Sequence, residues 1–139
     1  MAGINTGRVV VGGLIAGLVL NVSEFILNTV VLGTSMTAAM AKMNLPPAGG
    51  AGMAVFAVLG FALGIVAIWL YAAIRPRFGP GPKTALCAGA TVWFFAYLYG
   101  GLGMVVMGMF PLGTMAVGLL WGLAEILVAS VAGAYFYRE

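Results

Sequence analysis

Histidine is absent from this 139-residue chain, and cysteine occurs once, as Cys87. The missing histidine removes the usual ligand of haem and zinc. A single cysteine excludes an intrachain disulfide. Charge is scarce as well: six Lys and Arg stand against three acids, 6% of all residues, where soluble domains carry about 25%. The basic residues are scattered singly over loops and ends rather than gathered into a patch, so nucleic acid is not the expected partner. The chain has no serine–histidine pair, no phosphate-binding glycine loop and no dinucleotide fingerprint, which disfavours an enzyme and gives no reason to expect a cofactor.

What the chain has in quantity is apolar surface, at 63% of residues. A soluble fold of this size keeps much of its surface in water and could not hide so much of it. The lipid bilayer is the expected surroundings. Four continuous apolar runs, 9–32, 51–74, 84–109 and 112–137, each reach the roughly 20 residues a membrane-spanning helix needs. Continuous rather than alternating runs favour helices over a barrel. The expected fold is an all-α integral membrane protein, a four-transmembrane-helix bundle in one domain. Arg8 followed by Val9 to Leu20 has the charge and length of a signal peptide. The apolar character resumes through Phe25 to Leu32, so this stretch reads as a retained first span.

Proline and glycine punctuate the runs: LPPAGGAG at 45–52, RPRFGPGPK at 75–83 and FPLG at 110–113. With both termini placed in the cytoplasm, Arg8, Arg75, Arg77, Lys83 and Arg138 lie inside and only Lys42 outside. This positive-inside bias sets the expected orientation, with a cell membrane, bacterial inner membrane by type, as the location. Trp69, Tyr71, Tyr135 and Tyr137 then fall near the inner ends, where interfacial anchors belong. In the first outer connection, Met36, Met40 and Met43 recur at helical spacing behind the cap-type residues Thr34 and Ser35. That pattern predicts a short interfacial helix over 35–44.

Small residues form columns on the helices: Gly13 and Gly17 on the first, Gly60 and Gly64 on the second, Gly118 and Gly122 on the fourth. Such columns let backbones approach closely in lipid, within one chain or between copies in a homo-oligomer or a larger membrane complex. The glycines in the outer half of the third run, Gly100, Gly101, Gly103 and Gly108, read as a close-packed crossing in preference to an unwound segment.

Two acids stand inside the apolar runs, Glu24 in the first and Glu125 in the fourth. Each lies on the small-residue column of its helix, and antiparallel packing would bring them to similar depth. Asn21 and Asn28 flank Glu24 on the same face. No Lys or Arg lies at matching depth. An ionised carboxylate is costly in apolar surroundings unless a proton, a cation or a wet cavity offsets it. Acids in such positions are functional by default. Glu24 and Glu125, supported by Asn21 and Asn28, are therefore the candidate proton or cation site of a small transporter or channel. The other reading is a non-catalytic accessory subunit in which neutral glutamates join helices by hydrogen bonds.

A third reading concerns Cu(I). Eight of the nine methionines fall on the expected outer side, and thioethers are soft ligands. Met36 with Met40 and Met43, and Met104 with Met107, are spaced to share a helix face. This spacing resembles the paired methionines of copper uptake channels, which have three spans. Methionine is also an ordinary apolar filler. The plan of four spans with a glutamate in the first resembles that of small multidrug transporters. NVSEFILN around Glu24 departs from their pattern, and the charge bias argues against their antiparallel assembly.

Overall fold

The computed structural model describes residues 3–138, and among these every regular element is helical. Four helices are long and apolar enough to cross a membrane: Thr6–Val31, Gly50–Phe78, Pro82–Val106 and Leu112–Phe136, hereafter the first to fourth spans. A short helix, Gly33–Lys42, joins the first span to the second.

The helix ends follow local chemistry and differ by a few residues from the apolar runs. The first span starts at Thr6 because the Asn5 side chain caps it, accepting a bond from the Arg8 backbone N–H at 3.1 Å. The second continues through Pro76 to Phe78. Proline removes one backbone donor, yet the Gly79 N–H closes the following turn on the Arg75 carbonyl at 2.8 Å. Gly79 and Gly81 then reverse the chain with φ of 82° and 125°, conformations that a side chain would strain. Pro82 opens the third span in the first helical turn, where its missing N–H costs nothing. The short helix begins at Gly33, two residues before the expected start, and ends at Lys42, whose charge suits a helix C-terminus.

Two stretches depart from α geometry. Leu27–Val31 at the end of the first span and Phe94–Leu98 within the third are π-helical. The Leu32 N–H bonds the Leu27 carbonyl at 2.7 Å, five residues back. Each such turn holds an extra residue and rotates the helical face that follows it.

The spans pack as a ring in which each lies beside its sequence neighbours and the fourth closes on the first. The first and second spans approach most closely. A Cβ added at Gly17 would fall 2.7 Å from the Phe61 Cα, and one at Gly13 would overlap the Ile65 backbone. Gly64 faces the Gly13 carbonyl and the Gly17 backbone in the same way. Gly60 receives the Asn21 side chain, whose amide donates to the Ala57 carbonyl at 3.1 Å across the interface. On the other side of the first span, Gly12 and Gly133 bring their backbones together. Such contacts replace the hydrophobic drive that lipid withholds from helix association.

The main core cluster lies in one half of the bundle. Val9, Ala16, Leu20, Ala67, Ile68, Ala85, Ala88, Ile126 and Ala129 are buried together, towards the end that carries Asn5 and Tyr137. Towards the opposite end Val55, Phe56, Val58 and Leu59 of the second span are exposed, as are Phe95, Tyr99 and Val106 of the third. Of the four glycines Gly100, Gly101, Gly103 and Gly108, Gly101 packs against Leu119 and Met115. Gly100 and Gly103 meet nothing, and Gly108 turns the chain with φ of 74°. The expected crossing thus rests on Gly101 alone.

The aromatic anchors divide. Trp69 and Tyr135 are exposed, but Tyr71 and Tyr137 are buried, at 3% and 4% exposure. Their rings meet edge to face with centroids 5.9 Å apart. The Tyr71 hydroxyl accepts a bond from the Gly81 N–H, and the Tyr137 hydroxyl one from the Asn5 N–H, each at 3.2 Å. Tyr137 also carries the Arg75 guanidinium over its ring. These two tyrosines clasp the closed end of the bundle instead of anchoring its rim, because backbone donors await their hydroxyls inside.

Candidate functional site

The fourth span turns Glu125 into the bundle, where it is 5% exposed. Oε1 accepts a hydrogen bond from the Tyr97 hydroxyl at 2.9 Å. Oε2 is buried and has no hydrogen-bond partner among the described residues. Ser23 and Glu24 of the first span lie beside this carboxyl group, close enough to interact with it, yet neither completes a bond to Oε2.

Tyr97 reaches Glu125 through two features of the third and fourth spans. It lies in the π-helical turn Phe94–Leu98, one helical turn after Trp93. Its ring rests on Gly122, where a Cβ would fall 2.5 Å from Cδ1. Any larger residue at that position would fill the space the ring needs. Trp93 fixes the same interface by donating its indole N–H to the Leu119 carbonyl at 2.9 Å.

Glu24 sits across the interface and is half-buried. Asn28 donates to its Oε2 at 2.8 Å and to its backbone carbonyl at 2.9 Å. The second bond occupies the Glu24 carbonyl at the turn where the backbone ladder lengthens to the π pattern. Ser23 is held by Trp121, whose indole N–H donates to Oγ at 2.8 Å. Trp121 stands one helical turn before Glu125 on the fourth span.

The structure thus brings Glu24, Asn28 and Glu125 to one interface. Asn21 goes elsewhere: its amide donates to the Gly17 and Ala57 carbonyls and ties the first span to the second. Of the packing glycines, Gly13, Gly17, Gly60 and Gly64 line the first–second interface, and Gly122 seats Tyr97. Gly118 has only Leu32 near it, at ordinary contact distance. Met36 and Met40 on the short helix and Met43 just beyond it are half-buried, whereas Met104 and Met107 stand exposed on and just beyond the third span.

Sequence reasoning missed Tyr97, Ser23, Trp121 and Trp93. The indole N–H groups and the phenol needed partners once buried, and that need was a usable signal. Their positions relative to the acids were not, because they lie on other helices or on faces set by a π turn.

A groove of about 570 Å³ opens beside the site between the first and fourth spans. Leu18, Val22, Ile26, Trp121 and Val128 form its walls, and Glu125 and Ser23 are its polar lining. Among the described residues no group of three His, Cys, Asp or Glu side chains is placed to hold a metal ion. Comparison with known protein families, characterised proteins and solved structures finds no match to this chain.

Proposed function

We propose that this chain is a multi-pass membrane protein that moves protons or cations, with the Glu125–Glu24 pair as the exchanging site. One observation carries the reading: a buried carboxyl group that has one oxygen bonded to Tyr97 and the other unpartnered beside a second acid. A group buried only to join helices uses both oxygens, since each lone buried acceptor forfeits about 1–3 kcal/mol. A group that exchanges a proton or cation leaves one oxygen without a fixed partner. Tyr97 orients the carboxyl, and Asn28 does the same for Glu24. The location proposed is a cell membrane, bacterial inner membrane by type, with both termini in the cytoplasm.

The test is ion flux in vesicles reconstituted with the purified chain. Glu24→Gln and Glu125→Gln combined should abolish flux and leave the fold intact, because the amide oxygen still accepts from Tyr97. Flux that survives the double change rejects the reading.

A second reading has an observation of its own. The exposed apolar faces of the second and third spans, with Phe56, Leu59, Phe95 and Tyr99, suit packing against another membrane chain, a second copy or a larger complex. An accessory subunit of that kind should tolerate both Gln changes and weaken with Leu at either position.

A further inference from the structure

The cation site faces sideways. The groove between the first and fourth spans opens on the flank of the bundle, and Glu125 is part of its lining. Its rim residues Leu18, Val22 and Val128 are exposed, so nothing among the described residues covers it. At about 570 Å³ it falls within the roughly 300–1,000 Å³ of sites that take small organic molecules. Its lining is apolar except for Ser23 and the carboxyl, and the carboxyl is 5% exposed with Oε2 unpartnered.

These features describe the complement of one kind of ligand. A bare metal ion needs several oxygen donors, and the groove offers Glu125 with Ser23 beside it. A neutral apolar molecule would fill the walls and leave the acid without a counter-charge. A lipophilic ammonium satisfies both: its charge pairs with the Glu125 carboxyl that lines the groove, while its apolar body lies along Leu18, Val22, Ile26 and Val128. Trp121 supplies an aromatic surface beside the charge, which further favours a cation. Its indole N–H is held by Ser23 at 2.8 Å, so the ring orientation is fixed before any ligand arrives.

We propose that this groove binds a lipophilic amine that enters sideways from the bilayer, its ammonium paired with Glu125 and its apolar body against the first and fourth spans. The proposal rests on the cation-site reading above and names the cation. Glu24 lies behind the same carboxyl from the first span and takes no part in lining the groove.

The experiment is equilibrium binding to the intact chain in lipid nanodiscs, with empty nanodiscs subtracted. The probe is dansyl-hexylamine, with its N-acetylated form as a neutral analogue of the same body. Saturable binding of the amine, at least tenfold tighter than the analogue, is expected. Glu125→Gln should remove that preference. Ala124→Trp, on the exposed groove lining, should block binding without touching the carboxyl. Equal binding of amine and analogue overturns the proposal, as does amine binding unchanged by Ala124→Trp. If Glu125→Gln fails to fold, Ala124→Trp and the analogue still decide. The outcomes separate the two readings. Glu125-dependent ion flux with no amine binding removes this proposal alone. Amine binding without flux removes the transport reading and leaves the site.

Discussion

Gly122 lies directly beneath the ring of Tyr97, and the space a Cβ would take there is what lets the phenol reach Glu125. The two residues belong to different spans and have no sequence relation. The glycine is therefore part of the candidate site although it carries no chemistry.

Gly122→Ala should act as Tyr97→Phe does. The first displaces the ring, and the second deletes the hydroxyl. Each removes the Tyr97 donor from Glu125, at a cost of about 1–3 kcal/mol in an SDS unfolding titration. The double variant should cost little more than either single change, because both remove the same bond. Additive losses would mean that Gly122 matters for packing alone.

Gly13→Val and Gly64→Val should each destabilise the bundle severely, since the added atoms meet backbone rather than movable side chains. Gly103→Ala, in open surroundings, should be neutral or stabilising by up to about 1 kcal/mol through helix propensity. The same unfolding titration checks all three. Equal sensitivity at Gly13 and Gly103 would show that the first–second contact does not hold the bundle.

The Trp121–Ser23 bond should show as coupling between the first and fourth spans. In a double-mutant cycle with Trp121→Phe and Ser23→Ala, the interaction is expected at about 0.6–1.7 kcal/mol. No coupling would mean that the two spans are joined by the glycine contact of Gly12 with Gly133 and not at the groove.

Orientation follows from charge and is tested by reporters fused after Arg138 and into the 45–49 loop. A cytoplasmic signal at the C-terminus and an external one in the loop are expected. Lys42→Ala should leave the result unchanged. Reversing the bias, with Arg75, Arg77 and Lys83 all replaced by Gln and lysines added to the loop, should invert it.

The chain itself determined how many helices there are and where each lies, because hydropathy over about 20 residues is a local property that no distant contact alters. It also marked Glu24 and Glu125, since a carboxyl group inside an apolar run stands out wherever the chain folds. Tertiary structure alone decided what those acids touch. Asn28 joins Glu24, but Asn21, on the same helical column, leaves for the second span. Glu125 takes its donor from Tyr97, whose face depends on the π turn at Phe94–Leu98. One extra residue in a helix rotates everything beyond it by about 100°, a change that leaves composition and hydropathy untouched. Tyr71 and Tyr137 show the same limit: their position near helix ends implied a rim, while burial followed from backbone donors supplied by Gly81 and Asn5. The groove beside Glu125 belongs wholly to the packing, because it is the space two helices leave between them.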